Sequence, residues 1–249
     1  MSRRGSPTCG VAHRVPERVR NAVGDAVVGT DVPPISVDIW SDIACPWCYI
    51  GKRRFSEGLQ RYRDAGGDRD VVVTYHSFEL APDTPVDFAG SEVDFLVEHK
   101  RMPAGQVAQM LDQVTQIAAE AGLTYDFDAL RHTNTRLAHQ LLHLGRERDV
   151  QLDLVERLFR AYFSEGRHLG DVSELADLAA DVGLDGEEVS AALAAGTYAD
   201  DVDADIAQAR AFGITGVPFF VLDDRFAVSG AQDPATFAEA LRRASEDAA

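Results

Sequence analysis

Hydrophobic and polar residues alternate in ISVDIW, residues 35–40, and β-branched side chains dominate the apolar positions. This period of two is typical of a half-buried β-strand. Residues 45–67 have apolar side chains at helical spacing and end in Gly66 and Gly67, which favour the end of a helix. Residues 70–80, rich in Val, Thr and Tyr, predict a second strand. The first part with a clear pattern is therefore predicted to be a β-α-β unit.

The pattern changes after this unit. From about residue 91 to residue 208, apolar residues recur every three or four positions almost throughout, as in amphipathic helices. The β pattern returns in residues 213–232, which predict a β-hairpin, and Pro234 suits the first turn of a last helix. The order is β-α-β, a long helical block, then β-β-α. It predicts one sheet whose two parts are separated in sequence but not in space.

The first 34 residues differ from the rest of the chain. They hold five Arg before any sustained apolar pattern, and Cys9 lies among them. We expect residues 1–34 to form a disordered leader, or to lie upstream of the true start codon. No apolar run follows the adjacent Arg3 and Arg4, so an export signal is not expected, and a cytoplasmic protein is the prediction.

Composition excludes several classes of protein. The formal net charge is −17, from 41 acidic and 24 basic residues, whereas nucleic-acid and anionic-membrane surfaces need clustered positive charge. We therefore expect neither nucleic acid nor a membrane as a partner. Three cysteines are too few for the disulfide framework of a small secreted protein. A length of 249 residues allows one large domain, or a small domain that carries an insertion.

Two of these cysteines, Cys45 and Cys48, lie two residues apart at the junction of the first strand and helix, with Pro46 and Trp47 between them. A thiolate at a helix start is stabilised by the helix dipole and by unpaired backbone N–H groups. We therefore expect Cys45 to attack a substrate disulfide and Cys48, one turn further in, to resolve the mixed disulfide. Trp47 would offer an apolar face to a client protein.

The same pair has two other interpretations. Half of a zinc site would need two more Cys or His ligands, and the remaining cysteine, Cys9, lies in the predicted leader. Two inert buried thiols are the ordinary state of free cysteine. The position between strand and helix favours a dithiol redox centre, and we expect no metal and no other cofactor.

A proline interrupts the second β region. In TGVPFF, Pro218 removes a ladder hydrogen bond from an apparent strand, and such a residue usually lies at an edge or outside the strand. A cis Val217–Pro218 bond would explain its position.

The chain resembles the DsbA family, and more closely its FrnE-like branch, which groups near the 2-hydroxychromene-2-carboxylate isomerases and kappa-class glutathione transferases. The similarity rests on CPWCYIGKRRF, HSFEL-AP, NTRLAH, GITGVPFFV and SGAQ, and it covers about residues 35–249. It implies an α/β protein with a thioredoxin fold and a large all-helical insertion domain. Residues 35–90 and 209–249 would form the thioredoxin-like domain, and residues 91–208 the insertion, which we expect to cover the dithiol.

The resemblance also implies roles for single residues. Pro218 would face the dithiol as part of the catalytic centre, and the backbone at Val217 would pair with substrate. Asn134 and His139 would line the substrate groove, together with Pro46 and Trp47. On position alone, Glu79 near the end of the second strand is a candidate proton relay. The Asp42 carboxylate is expected to oppose ionisation of Cys45 by charge repulsion.

These inferences predict a thiol–disulfide oxidoreductase acting on protein or small-molecule thiols and disulfides, with glutathione among the candidates. The isomerases and kappa transferases carry Ser at the position of Cys45, which favours redox chemistry here. Two alternatives remain open: a glutathione-dependent isomerase or transferase for an aromatic or polyketide-like substrate, and a non-catalytic client- or metal-binding module. The sequence is compatible with a monomer and with a homodimer.

Overall fold

The computed structural model describes residues 13–14 and 32–246, and within them five strands form one mixed sheet. The strands are β1 (His13–Arg14), β2 (Ile35–Ser41), β3 (Val71–Ser77), β4 (Phe219–Leu222) and β5 (Phe226–Ser229). Their order across the sheet is β1-β5-β4-β2-β3, and only β2 and β3 run parallel among these pairs. Val37 of β2 is paired with Val73 on one side and with Leu222 on the other. The two β regions of the sequence therefore form one sheet, as predicted.

Helices make up most of the rest of the described chain. They are α1 (Pro46–Asp64), α2 (Glu92–Lys100), α3 (Ala104–Glu120), α4 (Arg136–Glu147), α5 (Gln151–Glu165), α6 (Val172–Ala180), α7 (Gly186–Ala195), α8 (Ala199–Ala211) and α9 (Pro234–Glu246). Helices α2 to α8 all lie between β3 and β4, so the helical insertion interrupts the sheet in sequence. The described chain therefore has the predicted layout, one mixed sheet with a large helical insertion.

Helix α1 is shared by the two parts of the molecule. On the sheet side Phe55 packs against Phe220 and Phe237, with ring centroids 5.6 Å apart in both pairs. On the other side Tyr49 stacks on Phe159 of α5 at 4.9 Å. Gly58 allows α9 to approach, because a Cβ built there would lie 2.5 Å from Phe237 Cβ. The helix that begins with the CxxC segment is thus held from both sides.

Two predicted boundaries differ in the structure. The strand predicted for residues 70–80 ends at Ser77, because the N–H of Leu80 donates to the Asp42 carboxylate (2.8 Å) and the chain leaves the sheet. The predicted hairpin has shorter strands that meet at Asp223 and Asp224, both with left-handed φ values of about 50°. The predicted leader and Cys9 lie outside the described residues, apart from β1 and residues 32–34. No helix in the described ranges is long and apolar enough to cross a membrane.

A buried charged cluster joins the sheet to the insertion. The imidazole of His76 on β3 lies 2.8 Å from a carboxylate oxygen of Asp38 and 2.8 Å from one of Asp205 on α8. Trp40 stacks on the imidazole, with centroids 4.6 Å apart, and His143 of α4 lies 3.1 Å from Asp205. Burial alone would lower the pKa of His76, but the hydrogen bonds to Asp205 and Asp38 outweigh it and raise the pKa to about 9. His76 is therefore charged at neutral pH.

We expect this cluster to make the protein sensitive to alkali. Because the pKa of His76 rises from 6.5 unfolded to about 9 folded, its stabilisation is complete below pH 6.5 and is lost as the pH rises through about 9. The shift corresponds to about 3 kcal/mol. Urea unfolding at about pH 7 and pH 10 should show a larger loss of stability for the wild type than for His76→Gln. Equal losses would contradict the role assigned to His76.

Candidate dithiol site

The two cysteines occupy the first turn of α1. Cys45 is the N-cap residue, and Pro46 is the first residue of the helix, a position where its missing N–H is not needed. The N–H of Cys45 donates to Asp42 O (3.1 Å), and that of Cys48 donates to Cys45 O (3.0 Å). The two thiols are not linked to each other. This turn holds both sulfur atoms at the start of the helix.

The two thiols differ in environment. Cys45 is 4% exposed and borders a cavity, whereas Cys48 is 2% exposed and lies in the core. Burial raises the pKa of Cys48 well above its ordinary value, and the neighbouring Cys45 raises it further. Cys48 is thus a thiol at neutral pH. This environment suits the second, resolving position.

The loop before β4 faces this turn. The Val217–Pro218 peptide bond is cis, as predicted. The thiol of Cys45 donates to Val217 O at 3.7 Å, so the two predicted parts of the centre lie together. Gly51 permits this approach, because a Cβ there would lie 2.9 Å from Pro218 Cγ.

The insertion reaches the dithiol through Tyr125. Its hydroxyl donates to the carbonyl oxygen of Pro46 at 2.7 Å, and its ring stacks on Phe163 at 4.7 Å. Burial, and next the charge of Cys45, raise the pKa of this tyrosine. Trp47, in contrast, leaves 38% of its surface exposed at the mouth of the site. No sequence pattern indicates Tyr125, which lies between helices in a segment without periodicity.

Asp42 is a buried hub beneath the turn. Its carboxylate accepts hydrogen bonds from Leu80 N (2.8 Å), Thr135 Oγ1 (2.9 Å) and Ala44 N (3.2 Å), and lies 3.4 Å from His139 Nε2. Burial alone would raise the pKa of Asp42, but His139 and the backbone N–H groups hold it below its ordinary value. The carboxylate therefore ties the loop before the dithiol to the insertion. Its expected repulsion of the Cys45 thiolate stays a prediction.

The other predicted site residues lie around this hub and do not line the cavity. His139 is fully buried. The side chain of Asn134 donates to Pro82 O (2.9 Å) and accepts from Arg136 N (2.9 Å). Glu79 pairs with Arg136 at 3.3 Å. The structure thus brings Cys45, Cys48, Val217 and Pro218 together and places Asn134, His139 and Glu79 behind them, where their predicted roles stay predictions.

A cavity of about 230 Å³ opens beside Cys45. One side is formed by the first turn of α1, and the opposite, mostly apolar side by α2 and α3. Three buried residues with acidic or imidazole side chains, Asp42, Glu92 and His132, also line it. The remaining apolar lining includes Leu80, Phe95, Leu96, Met110, Leu111 and Val114. In the described ranges, no group of three or more His, Cys, Asp or Glu residues is arranged to hold a metal ion.

Comparisons with known proteins agree with this arrangement. Residues 36–242 match the DSBA-like thioredoxin domain. The probable DsbA oxidoreductase SCO1869 from Streptomyces coelicolor is 40% identical, with 86% of this chain and 91% of that chain covered and a TM-score of 0.79. The uncharacterized protein YwbO of Bacillus subtilis (strain 168) is 28% identical over 209 residues, which are 83% of this chain and 96% of that protein. A 2-hydroxychromene-2-carboxylate isomerase shares the fold, with 19% identity, a TM-score of 0.64 and coverage of 85% and 97%.

The family match spans both halves of the sheet, the insertion and the dithiol turn. It confirms the resemblance stated from the motifs around Cys45 and Pro218. The chain belongs to the DSBA-like thioredoxin domain family.

Proposed function

We propose that the protein is a thiol–disulfide oxidoreductase in which Cys45 exchanges with substrate and Cys48 resolves the mixed disulfide. The observation that carries this proposal is the pair of unlinked thiols at the start of α1, with Cys45 against Val217 O and at the edge of a cavity. A purely structural pair would gain nothing from opening onto a cavity.

The reaction follows from the positions of the sulfur atoms. The Cys45 thiolate attacks a substrate disulfide R–S–S–R′, forms Cys45–S–S–R and releases R′–S⁻. Cys48 then gives up its proton to solvent and attacks Cys45 Sγ, which releases R–S⁻ and leaves a Cys45–Cys48 disulfide. Two electrons have passed from the dithiol to the substrate. A thiol donor restores the dithiol, and an excess of substrate thiols over disulfides reverses the sequence.

Protein clients and small thiols both fit this proposal. The exposed face of Trp47 supports contact with a client chain, while the cavity supports entry of a small thiol such as glutathione. We place the reaction in the cytoplasm, a proposal supported by the small number of cysteines.

Reduction of insulin with a thiol donor present tests the proposal. Cys45→Ser should lower the rate at least about 1,000-fold, because it removes the nucleophile. Cys9→Ser is the matched control, since it removes the one cysteine outside the CxxC pair, and it should keep the wild-type rate. Equal rates for the wild type and Cys45→Ser would reject the proposed function.

A glutathione-dependent isomerase is the second candidate, because the cavity beside Cys45 has a largely apolar wall that suits an aromatic group. Calorimetric titration of glutathione into a Cys45→Ser, Cys48→Ser variant separates the two functions. Saturable binding without any thiol would favour the isomerase, whereas the oxidoreductase is expected to hold glutathione mainly as a mixed disulfide.

A further inference from the structure

A buried carboxylate–imidazole pair forms part of the wall of the cavity that Cys45 borders. Glu92, the first residue of α2, and His132, in the loop before α4, both line it. Glu92 Oε2 lies 2.7 Å from His132 Nδ1, and the two side chains are only 10% and 5% exposed. Nothing in the exchange between Cys45 and Cys48 described above uses this pair.

The orientation of the imidazole is fixed by its neighbours. Phe95 stacks on one face, with ring centroids 3.4 Å apart, and Phe88 meets the ring edge-on at 5.8 Å. The two polar contacts, from Glu92 and from the Tyr162 hydroxyl at 3.4 Å, both involve Nδ1. In the part of the chain that the structure describes, Nε2 has no hydrogen-bond partner. Nε2 is therefore the nitrogen that remains for a molecule in the cavity.

Burying such a pair is costly. Both groups lose hydration when they are buried, and apolar residues of similar volume would pack at least as well. A carboxylate that holds one ring nitrogen while the other remains available is, however, the arrangement that orients a histidine for proton transfer. The pair is better explained by chemistry in the cavity than by packing.

A hydrogen bond connects the loop that carries His132 to the segment before the dithiol. Thr135, three residues after His132, donates to Asp42, three residues before Cys45 (2.9 Å). The histidine and the nucleophilic cysteine are thus held on walls of the same cavity. Its volume of about 230 Å³ suits one small organic group and excludes a folded polypeptide.

We propose that His132, positioned by Glu92, is a catalytic residue that transfers the proton of small-molecule thiols during their exchange with Cys45. The proposal deepens the proposed oxidoreductase function and rests on it. It names low-molecular-weight thiols as the substrate class of the cavity. A cysteine in a protein client stays at the mouth near Trp47 and does not use His132.

In the oxidised protein the step is balanced as follows. The thiol R–SH gives its proton to Nε2 of His132, and its sulfur attacks Cys45 Sγ. The Cys45–S–S–R bond forms, the Cys45–Cys48 bond breaks, and its electron pair goes to Cys48 Sγ, which takes a proton from water. The imidazolium then releases its proton to solvent. In the reverse direction it returns a proton to the departing small thiolate.

The experiment compares a small thiol with a protein substrate. The rate at which 2-mercaptoethanol reduces the oxidised protein should fall about 10- to 100-fold in His132→Gln, while the single-turnover rate at which the pre-reduced protein reduces insulin stays within about twofold. Glu92→Gln should cause a smaller loss, of about 3- to 10-fold, because the imidazole is kept but less well oriented. His168→Gln removes another buried imidazole, one that contacts Val86 O (3.0 Å) and does not line the cavity, and should leave both rates unchanged.

Added imidazole distinguishes proton transfer from structure. It should restore part of the 2-mercaptoethanol rate to His132→Ala and add nothing to the wild type. Unchanged rates in His132→Gln, equal losses with both substrates, or no rescue would each overturn the role of His132. If His132→Gln fails to fold, Glu92→Gln supplies the same comparison. If the wild type reduces insulin no faster than Cys45→Ser does, the oxidoreductase function itself is rejected. If the wild type is active and His132→Gln keeps the wild-type rate with 2-mercaptoethanol, only the role of His132 is rejected.

Discussion

Cys48→Ser should accumulate covalent adducts with its substrates, at least about tenfold more than Cys45→Ser under the same conditions. Cys45 borders the cavity and contacts Val217 O, so the first attack still succeeds in Cys48→Ser. Resolution fails because the second sulfur is missing. Adducts can be counted by mass spectrometry after incubation with an excess of a small disulfide and on non-reducing gels with a protein client.

Alkylation of the two cysteines is a second test of their roles, and their environments predict that Cys45 reacts before Cys48. Because burial and Cys45 raise the pKa of Cys48, iodoacetamide at mildly acidic pH should modify Cys45 first. The variant that lacks both cysteines is the control for reaction at Cys9. Earlier modification of Cys48, or more adducts in Cys45→Ser, would reverse the assigned roles.

Asp42→Ala should lower the free energy of unfolding by about 3–5 kcal/mol. The substitution removes the acceptor of hydrogen bonds from Leu80 N, Thr135 Oγ1 and Ala44 N inside the protein, and each buried donor left without a partner costs about 1–3 kcal/mol. Asp42→Asn keeps one oxygen and should lose less. Urea titration followed by circular dichroism gives the free energies.

Asp94→Ala is a suitable control, because Asp94 also accepts hydrogen bonds but lies exposed in the capping box of α2. It should cost much less than Asp42→Ala, because water can satisfy the exposed groups that Asp94 leaves. The pKa of Asp42 is held below its ordinary 3.8, so its stabilisation is present above pH 3.8 and is lost as the pH falls through the lowered value. If Asp42→Ala lowers the free energy of unfolding no more than Asp94→Ala does, Asp42 does not hold the loop before the dithiol to the insertion.

Local patterns predict a dithiol at the start of a helix and a break in the second β region, whereas the place of the Pro218 loop opposite the dithiol was implied by the resemblance to the DsbA family. Cys45 lies where a helix must begin, and Pro218 lies where a strand cannot continue its ladder, so both positions follow from backbone chemistry. The β-α-β unit and the hairpin follow from periodicity. The strand after α1 was predicted too long, because its end depends on a hydrogen bond from Leu80 to Asp42, which is distant in sequence.

The cavity wall could not be predicted in the same way. Glu92 has the sequence pattern of an ordinary acidic residue in a first helical turn, which the helix dipole favours. That its partner is His132, and that Tyr125 reaches Pro46, depend on how the insertion packs on α1. His139, which the resemblance places in the groove, is fully buried beside Asp42 and does not line the cavity, so its role stays a prediction.

The pairing of β2 with β4 delays completion of the sheet while the chain is being synthesised on the ribosome. Val37 pairs with Leu222, so the whole insertion is synthesised before this edge of β2 meets its partner. Contacts between residues so distant in sequence form slowly, and an unpaired strand edge is a template for association with other chains. The cysteines therefore leave the exit tunnel long before Val217 and Pro218 can close over them. Protection of the nascent β2 edge, and of the two free thiols beside it, falls to the insertion helices or to chaperones until the C-terminal hairpin arrives.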